Sequence, residues 1–448
     1  MKALTLSFVA HTLHIEFKGV DANIKGVKAD SRQVMPGDLF VAIKGERVDG
    51  HDYLQEAEEK GAIGVLASRS VTTKLPVLRV PDTIKALGDL AKAYRRQFSI
   101  PMLAITGSCG KTTVKELLTN ICRLEGSVLS SIGNLNTEVG VPLTLLRLTP
   151  EHRLAVIEMG ARQKGDIAYL MSLAEPSISL ITNAGVAHLE AFGSRRNIAE
   201  AKGEIFEQLP ANGTAVINMD DTNAKYWKSL LKPSQKVITF GFNGDPTITA
   251  RNIQQKDLGS EFDLVMDEGV AHVCLPVPGK HMIQNALAAA AGARAFGISI
   301  AEIQAGLESF VPVKGRLQFK MGLNQTKIID DSYNANPISM RAALAVLATA
   351  KGSKLLVMGD MLELGKEEVM LHQKIGEEAK ALGIDRLFGV GALTIAAVHA
   401  FGTGASHYED KPSLIAALRQ HLNSNTTVLV KGSRGMRMED VVTALTMD

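Results

Sequence analysis

At 448 residues the chain is too long for one ordinary core, and roughly two to four domains are expected. Its 49 basic and 47 acidic residues nearly cancel, to a formal +2, and lie scattered along the chain. That balance argues against nucleic acid or an anionic membrane as a partner. Three cysteines, Cys109, Cys122 and Cys274, form no Cys-x-x-Cys pair, which suits a reducing cytoplasm and not a disulfide framework or a structural zinc. The amino terminus is interrupted by His11, His14 and Glu16 and shows no cleavage site, so a signal peptide is not expected. No run approaches the ~20 apolar residues of a membrane span.

In chain order, residues up to about 81 read as a small α/β domain. Strands are expected at 37–43, 64–67 and 77–80, with a helix over 53–60. Two polar stretches lie between these elements, 29–33 and 44–52. They could bind a polar ligand or be solvated loops.

The next segment, 82–312, alternates strands and helices in the manner of a parallel sheet. Its first strand, Met102 to Ile105, breaks into Thr106-Gly-Ser-Cys-Gly-Lys-Thr-Thr113 and then into helical spacing. A glycine-bracketed turn between strand and helix aims backbone N–H groups at a phosphate. Lys111 then adds a point charge at the β- and γ-phosphates, and the Thr112 hydroxyl is placed to ligate magnesium. Position 105, where the longer phosphate-loop pattern has glycine, is isoleucine, so the match is to the shorter form. Cys109, inside the loop, reads as an alkylatable thiol or simply as a small residue tolerated in a turn.

Further strands are expected at 154–158, 178–182, 215–218 and 236–240. Ligands of parallel sheets gather at the carboxyl ends of strands, which makes Glu158 a candidate carboxylate facing phosphate and magnesium. Read from the residues alone, His188 is a capping or core histidine and Lys202 a solvated helix residue. The alanine-rich stretch 286–296 should be helical, and Pro312-Val-Lys-Gly315 looks like a linker into a fresh strand.

The last third, 313–448, repeats the doubly wound pattern with strands at 327–330, 355–358, 386–390 and 427–430, as a Rossmann-like domain. It has no Gly-x-Gly-x-x-Gly fingerprint, so no dinucleotide site is expected there. Polar residues cluster at its strand ends, in 330–337 and 431–434, as they would if this domain closed over the nucleotide.

Five motifs stand in series: Thr-Gly-Ser-Cys-Gly-Lys-Thr-Thr at 106–113, Glu-Met-Gly-Ala at 158–161, Thr-Asn-Ala-Gly-x-Ala-His at 182–188, Ala-Lys-Gly-Glu-Ile at 201–205 and Asp-Asp-Ser-Tyr-Asn-Ala-Asn-Pro at 330–337. With them the chain resembles the Mur ligases of peptidoglycan synthesis over nearly its whole length. Asp-Met-Leu-Glu-Leu-Gly at 360–365 stands where the diaminopimelate-adding branch has Asp-Asn-Pro-Arg, and looks like the branch that adds D-alanyl-D-alanine to UDP-N-acetylmuramoyl-tripeptide.

The resemblance implies three domains: 1–81 for the UDP-sugar, 82–312 for ATP and 313–448 for the incoming dipeptide. It places Gly107, Ser108, Cys109, Gly110, Lys111, Thr112 and Thr113 on the ATP phosphates, and Thr112 with Glu158 on one magnesium. His188 and Lys202 fall at a second magnesium, against the reading from the residues alone. Lys202 matches a lysine that many Mur ligases carbamylate. Lys111, Glu158, His188 and Lys202 form the implied catalytic set. Asn285 matches an adenine contact, Arg316 a phosphate contact and Asp331 a ribose contact. Asn134, Asn136 and Thr137 match holders of the UDP-linked substrate, with Ser31, Arg32, Lys44 and His51 on the uridine side. The implied protein is a cytoplasmic monomer. The rival readings are another Mur-type or folylpolyglutamate-type amide ligase and, from a different class, an ATP-hydrolysing switch.

Overall fold

In the computed structural model, residues 4–185 and 192–446 are described. Among them the strands fall into four sheets. The first holds β1 (Gly26–Lys28), β2 (Asp38–Val41), β3 (Gly64–Ala67) and β4 (Val77–Arg79), in sequence order and all parallel. The strands expected at 64–67 and 77–80 are present, and the helix read at 53–60 spans Leu54–Glu59 behind a 3₁₀ turn at Gly50–Tyr53. Both central strands are buried along their full length, as a sheet covered on two faces requires.

The second sheet carries β5 (Met102–Thr106), β6 (Ser127–Ser130), β7 (His152–Glu158), β8 (Ile178–Ile181), β9 (Thr214–Asn218) and β10 (Lys236–Phe240). Its spatial order is β10-β9-β8-β5-β7-β6, parallel throughout. The continuous apolar run Met102-Leu-Ala-Ile is why β5 sits near the middle, with every residue from Met102 to Thr106 buried. Strand order reverses beside β5, between β7 and β8, and such a switch point opens a crevice at the strands' carboxyl ends.

The expectation of parallel strands to 312 fails after Phe240. Residues 249–275 instead form an antiparallel meander of β11 (Thr249–Lys256), β12 (Gly259–Met266) and β13 (Gly269–Leu275). Strand β12 alternates half-buried and buried residues, the period-2 pattern of a sheet with one covered face. The alanine-rich helix begins earlier than read, spanning Lys280–Phe296, and its small side chains pack against the helix Lys111–Cys122.

The fourth sheet orders as β14-β15-β19-β16-β17-β18, with β14 (Gln318–Met321) antiparallel to β15 (Lys327–Asp331). The rest, β16 (Ser353–Gly359), β17 (Arg386–Val390), β18 (Ala405–Tyr408) and β19 (Thr426–Lys431), run parallel to it. The fresh strand expected after the linker is β14. Among the described residues no helix is long and apolar enough to cross a membrane.

Candidate active site

The carboxyl ends of β5, β7 and β8 supply one wall of a cleft, and the carboxyl ends of β15 and β19 supply the other. Between them lies a cavity of about 420 Å³ lined by Ser108 to Thr113, Glu158, Lys202, Asn285, Arg316, Asp331 and Lys431. Asn134, Asn136 and Thr137 also line it.

The phosphate loop is pinned from both sides. Ser108 N donates to Asn183 O at 2.9 Å, and the Asn183 side chain receives Cys109 N at 3.0 Å and donates to Cys109 O at 3.1 Å. The Thr182 hydroxyl donates to the same carbonyl at 2.6 Å. Close approach demands the two loop glycines: a Cβ on Gly107 (φ +153°) would lie 1.9 Å from Thr182 Oγ1, and one on Gly110 (φ +81°) 2.5 Å from Asn285 Oδ1. Gly110 precedes the helix Lys111–Cys122 without a side-chain cap, which leaves that helix's first N–H groups facing the cleft. Lys111 is the first residue of the helix, and its Nζ donates to Gly107 O at 2.6 Å, across the loop's own curve.

Glu158 ends β7 with its backbone N donating to Ser131 Oγ at 3.0 Å. Its Oε1 accepts from Asn136 Nδ2 at 2.8 Å, while Oε2 is buried and accepts nothing from the described residues. An ionised carboxylate oxygen out of water with no donor is expensive unless a cation completes it. Lys202 is also buried, at 4% exposure, which overturns the reading of it as a solvated helix residue. It sits in the helix Arg195–Glu207, and its ammonium makes no hydrogen bond or ion pair with the described residues. Burial first, and then the charge of Lys111, pull its pKa down to about 7. His188 lies outside the described residues.

The opposite wall, formed by the fourth sheet and the segment leading into it, brings its own charges. Arg316 Nη2 donates to Thr112 Oγ1 at 3.0 Å, and its guanidinium stacks 4.4 Å from the centre of the Tyr333 ring. On β15, Asp331 receives Lys431 Nζ of β19 at 2.5 Å and the backbone N of Leu317 at 3.2 Å. Burial pushes the Asp331 carboxyl up, and Lys431 opposes that shift. Asn336, which caps the helix Pro337–Ala348, reaches Cys109 Sγ with its Nδ2 at 3.1 Å. The two walls are therefore in contact around the phosphate loop.

Ser31, Arg32, Lys44 and His51 do not line this cavity. Ser31 Oγ donates to Glu56 at 2.5 Å, and His51 is held between Asp49 Oδ1 at 2.6 Å and the Ser68 backbone N at 3.0 Å. Arg32 forks onto Asp30 at 2.9 and 2.8 Å, and Lys44 is exposed. Sequence reasoning passed over Asn183, Asn336, Tyr333 and Lys431 as individual residues, although each stands in a polar stretch it had marked. Asn183 had a usable signal, since it follows directly on the end of a strand beside the phosphate loop.

A parallel-sheet domain with a phosphate loop, joined to a Rossmann-like domain that closes on the loop through Arg316 and Asn336, defines an ATP-dependent ligase architecture. Three family profiles match the chain: Mur ligase family, catalytic domain, over residues 23–95; Mur ligase middle domain, over 105–293; and Mur ligase, glutamate ligase domain, over 315–434. The chain belongs to the Mur ligase family. More particularly, it is 46% identical to the UDP-N-acetylmuramoyl-tripeptide–D-alanyl-D-alanine ligase of Escherichia coli K12, with 99% of each chain covered. The crystal structure of MurF from Acinetobacter baumannii superposes with a TM-score of 0.91 at 34% identity, covering 99% of this chain and 98% of that one. A MurF ligase from Thermotoga maritima solved in complex with ADP gives 0.82 at 28% identity, with 94% and 96% covered.

Proposed function

We infer that the chain joins D-alanyl-D-alanine to the peptide carboxylate of UDP-N-acetylmuramoyl-tripeptide, with ATP becoming ADP and phosphate and UDP-N-acetylmuramoyl-pentapeptide as the product. The reading rests on the likeness to ligases of that name and on one observation above the rest. The phosphate loop, an unsatisfied buried carboxylate and a buried uncharged-leaning lysine share one cleft between two domains.

A carboxylate and an amine do not condense unaided, because oxide is a poor leaving group. The peptide carboxylate oxygen attacks the γ-phosphorus and ADP departs. The dipeptide's amine then attacks the acyl carbon, loses a proton, and the tetrahedral intermediate expels phosphate. Lys111 and the loop's N–H groups offset charge on the moving phosphoryl group and hold it in line. Arg316, presented by the segment before the C-terminal sheet, reaches the same place only while the two walls are together. In this reading Asp331 holds the ribose, and Asn285, beside Gly110, the adenine. Wall contact excludes water, which would otherwise hydrolyse the acyl phosphate.

The cleft fits magnesium. Glu158 Oε2 offers the hard anionic oxygen the ion prefers, and the Thr112 hydroxyl lies in the same cleft. Among the described residues no three His, Cys, Asp or Glu side chains converge on one point, so nucleotide oxygens and waters would complete the shell. When bound, magnesium offsets phosphate charge. Lys202 supports carbamylation on this chain's own chemistry, because an amine must be uncharged to add to CO₂ and this one is held near neutrality by burial. The resulting carbamate would give the cleft a further anionic oxygen group. The proposed boundaries near 81 and 312 fall just after β4 and between the helix Ile300–Glu308 and β14.

The test is phosphate release with each substrate withheld in turn. A ligase releases phosphate only when UDP-N-acetylmuramoyl-tripeptide and D-alanyl-D-alanine are both present; release with ATP alone would make the chain a hydrolysing switch.

A further inference from the structure

A second cavity, about 630 Å³, opens between the middle and C-terminal domains on the far side of the first turn of the helix Lys280–Phe296. No residue of the phosphate loop reaches it. One wall is a stripe of the helix Pro337–Ala348 and the residue after it: Arg341, Ala342, Ala345, Val346 and Thr349. The spacing 341, 342, 345, 346, 349 is that of one helix face. The other wall is Phe242 with Pro278 and Lys280. Where the walls meet they touch closely, since a Cβ on Gly279 would lie 2.9 Å from Val346 Cγ2.

The walls are mainly apolar, and the polar groups around them are unevenly satisfied. Asp220 is saturated: it accepts from the backbone N of Phe242 at 2.9 Å, from the backbone N of Asn243 at 3.0 Å and its side chain at 2.8 Å, and from Gln284 Nε2 at 3.2 Å. The cations have capacity left. Arg341 uses its Nε on Glu378 at 2.7 Å, and among the described residues neither of its terminal amino groups has a hydrogen-bond partner. Lys280 lies 4.7 Å over the Phe242 ring and makes no ion pair among the described residues. It also opens a 17-residue helix whose N-terminus has no side-chain cap. The crevice therefore presents an aromatic face, an alanine-rich face and, at its rim, the donor groups of Lys280 and Arg341, within the usual size of a small-molecule site at a domain boundary.

We propose that this crevice is a second ligand site, taking a small, flat, largely apolar molecule with one acidic group, and that its occupant strengthens nucleotide binding. The sign comes from the geometry. The crevice has this shape while Arg316 and Asn336 touch the phosphate loop, so a ligand bridging its two walls favours that arrangement over any in which the walls part. His281, Gln284 and Ala342 line both cavities, which makes the connection short. Coupling of this kind is reciprocal: nucleotide must strengthen the second ligand by the same factor.

The probe is 8-anilinonaphthalene-1-sulfonate, which has flat apolar rings and one sulfonate, titrated by fluorescence into the full chain with and without ADP. Binding is expected to saturate at one site and to tighten about fivefold with ADP. Ala345 is exposed to the crevice, so Ala345→Phe fills it without entering a core and should weaken the dye about tenfold while ADP alone binds as before. Lys280→Gln, a surface change that keeps the cavity open, should weaken the dye about threefold. Displacement of the dye by ADP, or dye affinity unaltered in both variants, overturns the proposal. These readouts are binding alone, so they stand or fall separately from the ligase reaction.

Discussion

Glu158 and Lys202 in the cleft are 2% and 4% exposed, and Ser31 and His51 in the N-terminal domain are both 6% exposed. Burial is equal, yet the first pair keeps unmet bonding capacity and the second pair does not. Glu158 Oε2 and the Lys202 ammonium have no partner among the described residues, whereas Ser31 closes on Glu56 and His51 bridges Asp49 to the Ser68 backbone. A buried polar group without a partner destabilises the fold, so its persistence marks a place where a ligand completes the bonding. A buried polar group with all its partners marks a place where the fold completes itself. The contrast separates residues whose loss should cripple chemistry from residues whose loss should loosen a domain.

The largest expected effect is at Lys111. Lys111→Ala should lower turnover on the order of a thousandfold while the far-ultraviolet circular dichroism stays that of the parent, since the charge matters most as the phosphoryl group moves. Near-normal phosphate release from a folded variant would remove the phosphate loop from the reaction. Next comes Glu158→Gln, which keeps the bond to Asn136 in reach but removes the anionic oxygen. The magnesium concentration for half activity should rise about 10- to 100-fold, and an unchanged titration would return Glu158 to a structural role.

Lys202 tests the same contrast by pH. Its pKa of about 7 lies below the ordinary lysine value, so the amine is uncharged above that point and protonated below it. Carbamate should form with ¹³C-bicarbonate at pH 8 and give a carbonyl resonance that fades as the pH falls through 7. The signal should be missing from Lys202→Arg. A spectrum of the parent without that resonance at pH 8 would leave the lysine unmodified. If Asp331 holds the ribose, Asp331→Ala should weaken ATP by about tenfold, because that acceptor is lost. It also leaves the buried Lys431 ammonium with the Asn334 carbonyl at 2.8 Å but no counter-charge, so the comparison must be made with Asp331→Asn, where a second oxygen partner stays in reach.

Much of this was legible beforehand because parallel strands announce themselves. The apolar run at 102–105 and the turn chemistry after it placed the phosphate loop, and the strand-end rule placed Glu158 before any contact was known. The antiparallel meander was not legible as a change of topology. Strand β11 is largely exposed and rich in Gln, Arg and Lys, and β13 is a short apolar run exposed at four of its seven positions, so only β12 carries a clear alternation. Lys202 was misread from its own helix because its burial comes from elements distant in sequence. The helix Arg195–Glu207 packs on the helix Asp166–Ala174, and Glu204 there accepts from the backbone N of Gly165 at 2.7 Å and of Ala168 at 3.0 Å. Only the family resemblance supplied that environment.

The smallest expected effect, on catalysis, is at His51, and it sharpens the contrast most. If His51 serves its own domain, His51→Ala should lower stability by about 1–3 kcal/mol, the cost of leaving the Ser68 N–H and the Asp49 carboxylate without their shared partner. The KM for the UDP-linked substrate should then stay within about twofold of the parent. Arg32 and Lys44 are exposed and reach outward, so Arg32→Ala and Lys44→Ala should do the reverse, leaving stability alone and raising that KM if these loops hold the uridine diphosphate. Thermal unfolding and substrate kinetics on the three variants separate the two cases. A His51→Ala protein with parental stability and a sharply raised KM would place the imidazole on the substrate. Full internal bonding would then no longer distinguish a structural polar group from a binding one in this chain.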